Sequence, residues 1–455
     1  MIDYKDSFQQ KDEKTRTIFD FHYLFRSSEI VSYHENKITF TESEIKQAFQ
    51  QLDEYEPPLT FISAMNLIKY VISDPNLILS FNEKIIITYI EMFRDIMFQR
   101  QCLIIFNLIF QVTSQLNCLN PIIESDFFNI LEKIILQNTN GDYESFCNAC
   151  SCFCYICESS IKEFQNSILN TKILEFLKNN YSEDPKFNKC QVQTIIRVVK
   201  SNWSETNFDP IEFFSECAVS SFLKVGQFWP GYGAQILAAF IDKNVEISGE
   251  NLGISGFFQN LMGYLEDYDL DLRNSGLLLL SRVTLFSNFS SIFPPRELIE
   301  KIFFIFAYYP NEDSIKAICN LIENSNQESL KILLETFPYE ALNKTYSECD
   351  IKSKSSMINI SESVTKTKNI EFIEKFFNSS LINDICDLIC LQNDEYTIKI
   401  IYILDDAIKV VQNNEFTSRI ADIFTQNDIF DELDNSSNEK LLQNLENFRK
   451  HFISS

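Results

Sequence analysis

Five cysteines crowd one short stretch, Cys147, Cys150, Cys152, Cys154 and Cys157, and two of their spacings are C-x2-C. Thiolate pairs at that spacing suit zinc, which in structural sites takes four sulfur or nitrogen donors converging on one point. On a helix, however, Phe146, Cys147, Cys150, Phe153, Cys154 and Cys157 trace a single face. Thiols spread over ten positions of a straight helix cannot all reach one ion. Core packing is therefore the expected role, cysteine acting as a small apolar side chain. His22, His34 and His451 lie near the chain ends without metal-like spacing, so a histidine-based catalytic or metal site has little to build on. Gly231 and Gly233 lack the third glycine and the preceding strand of a dinucleotide loop. They read as a turn into a helix from Ala234 to Ile241. Glu266, Asp267, Asp269 and Asp271 do not match calcium-loop spacing and read as a solvated loop between helices. Residues 351–368, rich in Ser, Thr and Lys, fit either an exposed loop open to phosphorylation or a weak polar helix pair. No convergent set of titratable groups emerges, so no enzyme, cofactor or metal site is expected.

The bulk composition agrees with a binding or structural role. The chain has 455 residues, 45% hydrophobic and 23% charged, with Gly 9 and Pro 11. A chain this long is either several domains or an elongated array. So few turn formers favour helices joined by polar loops over a β or α/β fold. Eight of the nine glycines fall between Gly226 and Gly276, where an irregular insert is expected. The formal net charge of −25 argues against nucleic acid and anionic membranes as partners, and a basic protein segment is its natural complement. The opening Met1, Ile2, Asp3, Tyr4, Lys5 and Asp6 are too polar for a signal peptide. No stretch approaches the ~18–20 apolar residues that span a bilayer. A cytoplasmic or nuclear protein with reduced cysteines is expected.

The elements follow from apolar periodicity. Residues 1–58 form an N-terminal extension, helical or partly disordered, with an aromatic cluster at Phe19, Phe21, Tyr23 and Phe25 and a capping-box start at Thr41 and Glu44. Beyond Pro57 and Pro58, residues 59–455 read as successive helices. Ile86, Tyr89, Ile90, Phe93, Ile96 and Met97 share a helical face, as do Ile400, Ile401, Leu404, Ala407, Ile408 and Val411. The run from Cys102 to Phe110 is apolar nearly all round, as a helix sandwiched between neighbours requires. A polar residue recurs inside such helices at Asn107, Asn320 and Asp405. Those separations correspond to five and two steps of about 42.5 residues, within the ~40–47 period of paired-helix repeats. About nine repeats would fill 59–455. Ser436 and Glu439 have capping-box spacing before a last helix with Leu441, Leu445, Phe448 and Phe452 on one face.

This cadence, clearest from Phe98 to Leu136 and from Glu144 to Leu177, resembles the armadillo/HEAT-type repeat superfamily. The resemblance implies an all-α fold, a right-handed α–α superhelix of armadillo-like solenoid type, and a protein-interaction scaffold or adaptor holding a partner segment in a concave groove. Importin-alpha-like receptors in that superfamily hold an extended basic peptide on a ladder of Trp and Asn. By that resemblance Asn107 and Asn320 would be partner-binding residues. The matching tryptophans are absent, Leu103 and Lys316 standing in their places. The single W-x-x-x-N match, Trp203 to Asn207, reads as a helix end. A transport receptor, or a regulatory or structural subunit with a mainly apolar ligand surface, is the alternative.

Overall fold

The computed structural model describes residues 40–453 apart from 58, 113–118, 138–141, 160, 181, 225–231, 244–255, 286–295, 309–310, 341, 343–350, 378–380, 390–392, 427, 435 and 437. The cluster from Phe19 to Phe25 and Gly231 lie outside the described residues. Two compact units emerge, residues 1–220 with 225–229, and residues 221–224 with 230–455. Among the described residues the regular structure is entirely helical.

The first unit contains α1 (Glu42–Glu54), α2 (Phe61–Ser73), a 3₁₀ turn (Pro75–Ser80), α3 (Glu83–Arg94), α4 (Gln99–Gln111), α5 (Asn120–Glu124) and α6 (Phe127–Gln137). It continues with α7 (Tyr143–Glu158), α8 (Lys162–Leu169), α9 (Ile173–Asn179), α10 (Pro185–Lys200) and α11 (Pro210–Phe222), whose last residues belong to the second unit. The second unit has α12 (Gly233–Lys243), α13 (Phe257–Leu265), α14 (Leu270–Val283), α15 (Arg296–Tyr308), α16 (Glu312–Glu323), α17 (Gln327–Thr336) and α18 (Ile351–Lys366). It ends with α19 (Ile370–Phe377), α20 (Leu381–Asp387), α21 (Asp394–Val411), α22 (Asn414–Gln426), α23 (Ile429–Asp434) and α24 (Glu439–Ile453).

Each unit is built in two layers. In the first, α2, α4, α7 and α10 pack in succession as one row, with α3, α6 and α9 behind them. In the second, α12, α14, α16, α18, α21 and α24 form the row, with α13, α15 and α17 in the other layer. A helix pair cannot bury its own apolar faces, and stacking in a row makes the core continuous. The cysteine-rich α7 shows the result, since α4 and α10 flank it in the row while α6 and α8 close its back. From Ser145 to Cys157 every residue but Tyr155 is buried. Cys152 is therefore as enclosed as the four cysteines of the expected face. Phe93, Phe106 and Phe127 interlock α3, α4 and α6 with ring centroids 4.7–5.3 Å apart.

Helix ends follow local chemistry. Thr41 caps α1 as the sequence suggests, with the Glu44 amide donating to its hydroxyl and the Thr41 amide donating to Glu44 Oε2 at 2.8 Å. At α24 the cap is Asn438 instead of Ser436, its Oδ1 accepting from the Lys440 and Leu441 amides. Ser436 only accepts from the Asn438 amide. Ile96 and Met97 also depart from expectation. α3 ends at Arg94, with Asp95 at its C-cap, and the two side chains fall beyond it, 80% and 74% exposed. Within 226–276, expected as an irregular insert, α12, α13 and the first half of α14 are regular helices. Glu266, Asp267 and Asp269 lie between α13 and α14, Asp269 capping α14, and Asp271 sits in the first turn of α14. Residues 351–366 form the row helix α18.

Candidate functional site

Neighbouring row helices are stitched at sequence distances of 39 to 46 residues. Asn107 Nδ2 donates to the Asn148 carbonyl, 41 residues on, at 3.1 Å. Asn320 Nδ2 donates to the Ser281 carbonyl, 39 residues back, at 2.9 Å, and Asn324 Nδ2 to the Thr284 carbonyl, 40 back, at 2.6 Å. Arg197 forms a bidentate pair with Glu158 across 39 residues. Asp405 meets His451 Nε2, 46 residues on, at 2.6 Å. The three polar residues that mark the repeat in the sequence thus lie on row helices, and each binds an adjacent row helix. Asn107 is buried and its Oδ1 has no hydrogen-bond partner. Asn320 is half-buried. Their donor halves are committed to the stack, which leaves the Asn320 carbonyl oxygen as an acceptor.

An open groove lies in the second unit, between α18 and α21. Glu395, Lys399, Tyr402, Asp406 and Lys409 of α21 recur at i, i+4, i+7, i+11 and i+14, one stripe of an α-helix. They line a groove of about 780 Å³ together with Glu362, Thr365 and Lys366 of α18 and the adjoining Lys368. Tyr402 stands in it 48% exposed. Lys399 reaches Glu362 at 2.6 Å and Asn359 at 2.8 Å. Lys366 reaches Glu362 at 2.9 Å and Glu323 of α16 at 3.2 Å, while Lys409 reaches Asp405 at 2.5 Å. Burial tends to raise the Glu362 carboxyl, but hydrogen bonds from Lys366 and Lys399 outweigh it and hold it below the usual carboxylate value. Hydrogen bonding to Asp405 likewise raises Lys409. Three of the four groove lysines are therefore neutralised in place. Among the described residues, the side chains of Glu395, Asp406, Tyr402 and Lys368 take no hydrogen bond or ion pair.

The other motifs settle into structural places. Hydrogen bonding to Cys147 and Cys150, with burial, pushes the Cys190 thiol of α10 well up. Burial raises Cys154 to about 12. Such thiols stay protonated at neutral pH and are poor nucleophiles and ligands. Among the described residues no three His, Cys, Asp or Glu side chains converge as a metal site. Trp203 is buried just after α10, its Nε1 donating to the Val198 carbonyl at 2.8 Å. The groove itself escapes a search for familiar motifs. Its signal is the polar stripe 395, 399, 402, 406 and 409 opposite the apolar stripe of the same helix, with an aromatic at its centre.

No family model matches the sequence, and no curated protein matches it. Among solved structures, the fold is similar to that of an engineered protein, 13% identical with a TM-score of 0.53, over 90% of this chain and 99% of the other. A designed armadillo repeat protein matches at 14% identity and a TM-score of 0.41, over 51% of this chain and 98% of its own. Kap121p matches at 12% identity and a TM-score of 0.47, over 92% of this chain and 46% of its own. The first likeness speaks to fold alone. Each unit by itself is a two-layered stack of helices that repeats about every 40 residues, an all-α helical-repeat fold.

Proposed function

We propose that this chain is a protein-interaction scaffold whose row face across α16, α18 and α21 holds an extended basic segment of a partner protein. The observation that carries the reading is Tyr402 standing in an open groove between two carboxylates, Glu395 and Asp406, of which Asp406 also faces the charge of Lys409. Seven and four residues of helix set these carboxylates about 10.5 Å and 6 Å along the axis from the ring position. A guanidinium can lie over the Tyr402 ring while pairing with Asp406, and a second basic side chain about five positions away in an extended segment reaches Glu395. The net charge of −25 steers such a segment inward. Asn320 on the same row is proposed to accept a main-chain N–H group through its carbonyl oxygen, whereas Asn107, on the row of the first unit, has its carbonyl oxygen enclosed and is proposed to hold the row helices in register.

The contributions are individually small. A cation over an exposed ring is worth about 0.5–1 kcal/mol and an exposed ion pair about 0–1 kcal/mol. Useful affinity therefore needs several repeats engaged at once. Fluorescence anisotropy tests this with a labelled peptide carrying arginines five positions apart. Saturable binding that Tyr402→Ala and Asp406→Asn each weaken at least ~3-fold is expected, since the lost contact is worth about 0.7 kcal/mol or more. Binding indifferent to both substitutions and to salt would instead favour a subunit with an apolar ligand surface.

A further inference from the structure

The charges lining the groove between α18 and α21 are not of one sign. Lys366, Lys368, Lys399 and Lys409 stand there with Glu362, Glu395 and Asp406. Pairing within the protein accounts for most of them. Glu362 holds both Lys366 and Lys399, and Asp405 holds Lys409. Among the described residues, Glu395, Asp406 and Lys368 take no hydrogen bond or ion pair, although Asp406 also faces the charge of Lys409. All three are exposed. What a partner has left to complement is therefore two anions and one cation, and a segment carrying arginines alone leaves the cation unanswered.

The three charges are also unevenly placed. Lys399 of α21 meets Asn359 and Glu362 of α18 at 2.8 Å and 2.6 Å, which sets the register of the two helices. Lys368 follows Glu362 by six residues, just past the end of α18, and so comes level with the stretch of α21 from Asp406 to Lys409. Glu395 lies eleven residues before Asp406, about 16 Å along the axis. One end of the groove thus offers a carboxylate, and the other a carboxylate on the α21 wall with an ammonium on the α18 wall. We infer that the bound segment carries an acidic residue next to the arginine at Asp406, on the side away from the arginine at Glu395, and that Lys368 binds its carboxylate. This rests on the groove holding a basic segment and adds the third charge, which fixes the end of the segment that lies at Lys368. Consecutive residues of an extended chain send their side chains to opposite sides about 3.3 Å apart, so an adjoining arginine and glutamate reach the two walls of the groove together.

Fluorescence anisotropy on the full-length chain tests this with labelled peptides that share two arginines five positions apart. One has no acid, one a glutamate midway between the arginines, and two a glutamate directly outside the first or the last arginine, since the chain runs either way. The net charge of −25 repels every added glutamate, so long-range attraction cannot produce a gain. One of the two flanked peptides is expected to bind at least ~3-fold more tightly than the acid-free peptide, within the range of an exposed ion pair. The midway glutamate is expected to weaken binding. Lys368 has a left-handed backbone, φ 54°, which asparagine adopts readily. Lys368→Asn should therefore keep the circular dichroism and the acid-free affinity while abolishing the gain, and Lys368→Glu should turn the gain into a loss. An acid-free peptide that binds while neither flanked peptide binds better overturns the inference and leaves the groove reading standing. A gain that persists in Lys368→Asn does the same. Absence of binding by all four peptides overturns both.

Discussion

Asn107 shows how one polar atom inside an apolar helix reports the architecture. Its amide donates to the Asn148 carbonyl from a buried position, so Asn107→Ala removes a hydrogen bond worth about 1 kcal/mol net. The midpoint of urea unfolding should fall accordingly. Asn107→Asp should cost more, since it places a carboxylate against a carbonyl in a buried site. That excess should shrink as pH falls, because burial raises the carboxyl's folded-state pKa and protonation removes the penalty. Glu362 has the opposite sign, its pKa being held below the usual value by Lys366 and Lys399. Its stabilising contribution is present above the unfolded-state carboxylate pKa of about 4.3 and lost as pH falls through the lower folded value. Chemical denaturation of Glu362→Gln should therefore differ from the unaltered protein by no more than about 1 kcal/mol near pH 7 and converge with it in acid. The sequence identifies Asn107, Asn320 and Asp405 because a polar residue in an apolar helix must find a partner. It does not show which half of each amide is spent, since that depends on the neighbouring helix.

Close approach of two helices governs Gly276 in α14. A Cβ there would meet Tyr264 Cβ at 2.9 Å and Leu265 Cδ2 at 3.3 Å, both on α13. Alanine improves helix propensity by about 1 kcal/mol, but overlap in a packed interface costs about 1–3 kcal/mol. Gly276→Ala should thus destabilise. Gly263→Ala in α13 meets nothing within 4 Å and should stabilise by about 0.5–1 kcal/mol; thermal unfolding of the pair separates the two effects. Helix existence is legible where the apolar stripe is long, as in α21 and α4. Helix ends are less so. Ile96 and Met97 continue the apolar spacing of α3 on paper, yet the chain leaves the helix at Arg94. Ser436 and Glu439 fit a capping box, yet Asn438 is adjacent and takes the amides. The Ser, Thr and Lys of residues 351–368 fit an exposed loop or a weak polar helix pair equally well; the structure has a single helix there, with Ser361, Ser363 and Thr365 buried on α18 between α16 and α21. Small hydroxyl side chains suit such a close-packed row.

Across the molecule, the period of about 42.5 residues read from three polar residues reappears as stitches 39–46 residues apart. Periodicity survives in the sequence because each row helix needs the same alternation of buried and solvent faces. The groove is harder to foresee, since it depends on which polar side chains neutralise one another across α18 and α21. Contacts between nearest neighbours dominate repeat stability, so Gly276→Ala should raise amide hydrogen exchange in α13, α14 and α16 while leaving α4 and α7 unchanged. The central claim, that the face across α16, α18 and α21 holds a basic segment, is tested most directly by a charge swap at Asp406. Asp406→Lys should weaken the arginine peptide at least ~10-fold, about 1.4 kcal/mol, and a peptide with glutamate at the paired position should recover most of the loss. A lysine at 406 that leaves the arginine peptide's affinity unchanged, or a glutamate peptide that binds neither form better, would contradict it.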